Sequence, residues 1–129
     1  MKIQLSTAEA ENFFYNSLCN SLGEMFSHGL SLDYDENHYF AARKKLQEKK
    51  LITYFEDVLM QILRDGNSLT LVDYECEGEY TKSITLKDVH EQVANTPISH
   101  LMDAINETDD ATTGDVIIQQ VFFNEIIFG

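Results

Sequence analysis

The chain has 129 residues, 43% of them hydrophobic, with eight Phe and six Tyr, which suits one domain with a single core and excludes both wholesale disorder and a second domain. Twenty-two Asp and Glu against nine Lys and Arg give a formal net charge of −13, which opposes direct binding to nucleic acid or to an anionic membrane surface. Residues 1–64 carry 9 acids and 7 bases, whereas residues 65–129 carry 13 acids and 2 bases, an asymmetry that points toward a cationic partner.

The opening Met1-Lys2-Ile3-Gln4-Leu5 turns polar at Ser6 before an apolar run builds, which reads as no secretory leader. No stretch approaches the roughly 18 apolar residues of a membrane span. The expected location is the cytoplasm, with Cys19 and Cys76 as reduced thiols.

Ser6-Thr7-Ala8-Glu9 is a capping box, and Phe14, Leu18, Leu22 and Met25 follow at helical spacing, so a first helix is predicted to run to about Ser27 and stop at Gly29. Leu30 to Tyr34 alternates like a short half-buried strand. Asp35 caps a second helix whose Tyr39, Ala42, Arg43 and Leu46 share a face, with Lys44, Lys45, Lys49 and Lys50 near its negative dipole end. Thr53-Tyr54-Phe55-Glu56 reads as a second capping box, opening a helix with the stripe Phe55, Val58, Leu59, Ile62 and Leu63 before Gly66.

Ser68 to Cys76 and Glu79 to Leu86 flank Glu77-Gly78 and predict a hairpin pairing Leu69 with Leu86, Leu71 with Ile84 and Asp73 with Lys82. Type I′ geometry at that turn places Glu77 at positive φ, so a longer loop with shifted register stays open. Thr85 to Asp88 starts a short helix through Val89 and Val93, and Pro97 fits the first position of the next, with Ile98, Leu101, Met102 and Ile105 turned to the core. Thr112 to Gly129 is apolar almost all round and reads as a buried terminal helix, with a strand and a homo-oligomer interface through Val116 to Phe128 as the alternatives. The fold class expected is α+β: a small antiparallel sheet, the hairpin at about 68–86 with a possible third strand at about 30–34, covered by five or six helices.

The chemistry-bearing patterns are sparse. Asp33-x-Asp35-x-Asn37 imitates a calcium loop, but His38 and Lys44 stand where the Gly and the bidentate Glu are needed, so calcium is set aside. His100, Asp103 and Glu107 fall at i, i+3 and i+7 of a helix and supply part of a metal site or a small catalytic cluster, against the plainer reading of a solvent stripe. Cys19 reads as inert packing on the apolar side of its helix, and Cys76 as a thiol whose pKa an acidic turn raises. No hydrolase, zinc-protease, nucleotide-loop or dithiol motif is present, so no catalytic residue, metal or cofactor is assigned. Asp73, Glu75, Glu77 and Glu79 recur at period two and, joined by Asp109, Asp110 and Asp115, compose an acidic surface.

Glu56 to Met60 through Arg64-Asp65-Gly66, Thr85 to His90, and Phe122 to Gly129 resemble small uncharacterised proteins of Bacteroides-type bacteria. The resemblance implies a bacterial, mobile-element origin and carries no catalytic motif. The function expected is therefore non-catalytic: an interaction module docking a basic protein, one that itself handles nucleic acid, on Asp73, Glu75, Glu77, Glu79, Asp109 and Asp110.

Overall fold

The computed structural model describes residues 3–50 and 52–129; of the N-terminal reading, Met1 and Lys2 lie outside the described residues. Helix α1 spans Thr7–Ser27, opened by the predicted box: the Glu9 N–H donates to Ser6 Oγ (3.1 Å) and the Ser6 N–H to the Glu9 carboxylate (3.0 Å). Gly29, at φ +80°, turns the chain into β1, Leu30–Asp33. A Cβ at Gly29 would also overlap the Glu75 side chain, which lies across it, so glycine is needed there twice over.

Asp35 caps α2, Glu36–Glu48, through the N–H groups of Asn37 and His38. Ala42 and Leu46 face inward, but Arg43 is exposed rather than on the shared inner face. Helix α3, Phe55–Arg64, starts one residue later than predicted, because Asp57 and not Glu56 reaches back, accepting the Tyr54 N–H at 3.0 Å. Val58, Leu59, Met60, Ile62 and Leu63 are buried, and Phe55, the first residue of the helix, is left outside.

The sheet has the order β1-β2-β3, all antiparallel, with β2 at Leu69–Asp73 and β3 at Lys82–Ile84. Its hairpin register is shifted by two from the predicted one: Leu69 pairs with Ile84 and Leu71 with Lys82, while Asp73 faces Leu30 of β1. Leu69, Leu71 and Ile84 stay on the inward face, since a shift of two keeps each side chain on its face. The causes lie at both ends of the hairpin. Asp73 ends β2 by turning its carboxylate onto the following loop, and Asp88 claims the Thr85 N–H (2.9 Å), drawing Leu86 into helix α4, Leu86–Gln92.

A 3₁₀ turn, Val93–Asn95, leads to Pro97, which stands just before α5, Ile98–Ile105, rather than inside it. Of the predicted inner face of α5 only Leu101 is buried, with Ala104 beside it; Ile98, Met102 and Ile105 are exposed. This eight-residue helix packs chiefly on one neighbour, so only its narrow Leu101/Ala104 edge is covered.

Helix α6, Ala111–Phe123, is the central element, packed against α1, α4, α5 and β3 and buried on several sides, as the scattered polar residues of the segment imply. Gly114 lets it close on α1: a Cβ there would strike Ser21 and stand 3.2 Å from the Ser17 Cα. Further along the same pair, the Phe14 and Phe122 rings sit 6.4 Å apart. The core residues expected from the sequence, Phe14, Leu18, Leu59, Ile62, Leu71, Ile84, Leu101 and Phe122, are all buried. Among the described residues no helix is long and apolar enough to cross a membrane.

Candidate interaction surface

The acidic run does not continue as a strand. Asp73 is buried, and its carboxylate accepts three backbone N–H groups, from Glu75 (3.0 Å), Cys76 (2.8 Å) and Tyr80 (3.1 Å). The Asp73 N–H itself donates to Thr81 Oγ1 at 3.0 Å. Residues 74–81 thus form a closed loop folded around one carboxylate, and Asp73 is its anchor, not the docking contact the sequence predicts. The Cys76 N–H bond leads in holding the Asp73 carboxyl below the usual carboxylate range, ahead of the bonds from Tyr80 and Glu75 and against the opposing effect of burial.

Glu75, Glu77 and Glu79 are exposed on this loop, which suits the docking role expected of them. Glu77 and Gly78 both have positive φ, 56° and 82°, so the tip adopts the left-handed pair foreseen for the turn, but inside a longer loop. A left-handed Glu costs about 1 to 2 kcal/mol relative to its favoured conformation. Tyr80, at the loop's end, packs nearly perpendicular to Phe123 and Phe128 (centroids 6.4 and 5.4 Å). The Glu79 carboxylate leads in raising the Tyr80 phenol pKa, followed by burial, Cys76, Asp73 and Glu125. Glu125 lines one shallow pocket with Glu79, Tyr80 and Lys82; it gets there because Asn124, at φ 60°, ends α6 and folds the tail back.

The other predicted contacts go elsewhere. Asp110 caps α6, accepting the Thr113 N–H at 3.0 Å, and that bond leads in lowering its pKa. Asp109 is half-buried, and among the described residues no hydrogen bond or ion pair joins either aspartate to the 74–81 loop. Asp115 is turned inward between His28 Nε2 (2.9 Å) and Gln119 Nε2 (2.7 Å).

His100, Asp103 and Glu107 do not converge. Helix α5 ends at Ile105 and Glu107 takes φ 59°, so the i+7 projection is lost. Among the described residues no three His, Cys, Asp or Glu side chains are grouped to hold a metal ion. Both cysteines are free and exposed. Cys19 thus lies on the flank of α1 rather than in its apolar stripe, and burial of the thiol, then the Glu56 and Asp57 carboxylates, push it up against a lowering bond from Tyr15. Burial, then the Asp73, Glu79 and Glu75 carboxylates, push the Cys76 thiol up as expected.

A second feature was invisible in sequence. An open cleft of about 900 Å³ between α1 and α3 is lined by Glu11, Tyr15, Asp57, Met60 and Arg64. Glu11 accepts from Arg64 Nε (2.9 Å) and bonds His90 Nε2 (2.9 Å), across 53 and 79 residues of chain. Burial acts to raise the Glu11 pKa, but the bonds from His90 and Arg64 outweigh it and hold the group ionised. Tyr15 is pushed the other way, upward, by burial and by hydrogen bonding with Asp57 and Cys19, so its phenol keeps its proton. Both groups are thereby held far from the neutral range in which a general acid or base works best.

Comparison with protein-family models, with curated proteins and with solved structures finds no match to this chain. The likeness of three segments to Bacteroides-type proteins remains an expectation from sequence.

Proposed function

We propose that this chain is a non-catalytic protein-interaction module that presents the 74–81 loop to a basic partner, one that itself handles nucleic acid. The observation that carries the reading is the construction of that loop: a buried aspartate spends its whole carboxylate on three loop N–H groups, and the tip holds a glutamate in a left-handed conformation. Lys50, Glu107 and Asn124 share this φ where helices end, so it is the buried Asp73 carboxylate, with its three loop N–H groups, that sets the 74–81 loop apart. The outcome is a preformed ledge on which Glu77 and Glu79 stand in solvent with Glu125 nearby, in the half of the chain with net charge −11 (13 acids, 2 bases). Preorganisation lowers the entropy cost of docking, and the charge accelerates encounter with a cationic surface.

The test is the association rate of a captured partner as salt rises from about 50 to 500 mM, over which the Debye length falls from about 14 to about 4 Å. The rate is expected to fall with salt, and Glu77→Lys with Glu79→Lys is expected to lower it more than it changes dissociation. Indifference to both would overturn the reading.

A further inference from the structure

At the opposite end of the sheet from the acidic loop, four rings, from the β1–α2 connection, α2 and α3, gather on the surface. The register places Leu30 beside Asp73 and Asp33 beside Thr70, so Tyr34 leaves β1 at the end remote from the loop. Tyr34 stacks on Tyr39 of α2 (centroids 4.9 Å, interplanar angle 24°), and Phe55 of α3 closes on both, 5.9 Å from Tyr34 and 6.1 Å from Tyr39. Phe40 stands edge-on to Tyr39 at 6.1 Å. Tyr34 and Tyr39 also pack inward against the core, but Phe40 remains 50% and Phe55 39% exposed. Clustered surface Tyr, Phe and Arg is the composition of binding hot spots, not of ordinary solvated surface.

The charge around the rings selects the occupant. From Leu30 to Ala42 the chain carries Asp33, Asp35 and Glu36 and no Lys or Arg. Glu56 follows Phe55, and the bases of α2 begin only beyond Phe40: Arg43 lies over the Phe40 ring, Cζ 5.3 Å from its centroid, and Lys44 stands one turn on from Phe40, so the carboxylates gather on the Tyr34 side of the patch. Burial, then Tyr39, Asp33 and Glu36, raise the Tyr34 phenol pKa, which puts those two carboxylates within electrostatic reach of the patch. A second copy of a chain with net charge −13 would bring like-charged rims together, whereas a cationic side chain satisfies ring faces and carboxylates at once.

We propose that the surface formed by Tyr34, Tyr39, Phe40 and Phe55 is a docking site for an arginine- or lysine-bearing segment of a partner protein, its cations seated on the ring faces and paired with Glu36 and Asp33. This site is separate from the 74–81 loop and shares with it only the charge of what it binds.

The experiment titrates the full chain with a capped hexa-arginine peptide and follows ring-proton shifts by NMR. Shifts at Tyr34, Tyr39, Phe40 and Phe55 are expected, retained in the Glu77→Lys/Glu79→Lys variant. Phe55→Ala, a partly exposed position with no cation of this chain over its ring among the described residues, is expected to weaken binding roughly two- to fivefold, the loss of one solvent-exposed cation–π contact. Glu36→Gln should weaken it further, and capped hexa-citrulline, which keeps the shape without the charge, should not bind. Shifts confined to residues 74–81 would overturn this site and leave the loop reading standing. Equal binding of hexa-citrulline, or ring shifts that grow with protein concentration in the absence of peptide, would overturn it in favour of an apolar ligand or a second copy.

Discussion

Gln119 and Phe128 exchange two hydrogen bonds: Gln119 Nε2 donates to the Phe128 carbonyl at 3.0 Å, and Gln119 Oε1 accepts the Phe128 N–H at 2.8 Å. The amide of a fully buried side chain thereby pairs with the backbone of the tail as a neighbouring strand would, and Oε1 also takes the Ile127 N–H at 2.9 Å. Phe128 then stacks on His28, centroids 5.0 Å apart, and stands nearly perpendicular to Tyr80. One buried glutamine thus holds the tail that backs the acidic loop.

Gln119→Leu fills the same space without the amide. Two tail N–H groups and the Phe128 carbonyl lose their partners, and the expected destabilisation is about 2 to 4 kcal/mol, from several bonds worth about 1 kcal/mol each plus desolvation. Urea unfolding gives the loss of stability. Hydrogen exchange at Ile127 and Phe128 should accelerate well before global unfolding, and unchanged protection there would contradict the clamp.

Two glycines in helices should respond to alanine with opposite sign. At Gly114 a Cβ meets Ser21 and the Ser17 backbone, so Gly114→Ala should cost about 1 to 3 kcal/mol by forcing α1 and α6 apart. At Gly23 nothing lies within 4 Å, so Gly23→Ala should stabilise by about 0.4 to 1 kcal/mol through a less flexible unfolded chain. Thermal melts of the two variants decide it.

Glu77→Asn replaces a strained left-handed glutamate by the residue that tolerates that region best after glycine. A gain of about 0.5 to 1 kcal/mol in stability is expected, accompanied by slower association with a basic partner as one tip charge is lost. A variant neither more stable nor slower to associate would show that the tip geometry is incidental.

The lowered pKa of Asp73 has a sign in acid. A carboxyl depressed in the folded state contributes stability that is fully present above its unfolded value, about 3.9, and is lost as pH falls through the folded value. Stability should therefore decline as pH drops from about 5 toward 2. Asp73→Asn should flatten that decline and lower stability at pH 7, because its Nδ2 faces the Tyr80 N–H, donor against donor. Urea midpoints across this window measure both effects; a variant whose acid limb matches the parent's would place the proton uptake elsewhere.

Signals that act within a few residues were readable in advance. The Ser6/Glu9 box, the Asp35 cap, the stop at Gly29 and the apolar stripes through Phe14, Leu59 and Phe122 each depend on groups one to four positions apart, and the helices and core follow from them. The three-stranded sheet and its inward face were likewise legible, since alternation survives a register shift of two.

The candidate site was legible only in part. Glu75, Glu77 and Glu79 are where an acidic surface was expected, but whether an aspartate faces solvent or folds a loop depends on which N–H groups reach it, and Tyr80 arrives at Asp73 from seven residues away. The same holds for Asp115, engaged by His28 across 87 residues, and for Glu11, joined to Arg64 and His90. Local pattern decides which residues become helix, strand or core, because those preferences are settled by neighbours along the chain. Which polar side chains are spent inside the protein and which are left for a partner is decided by long-range convergence, and only the folded chain contains that information.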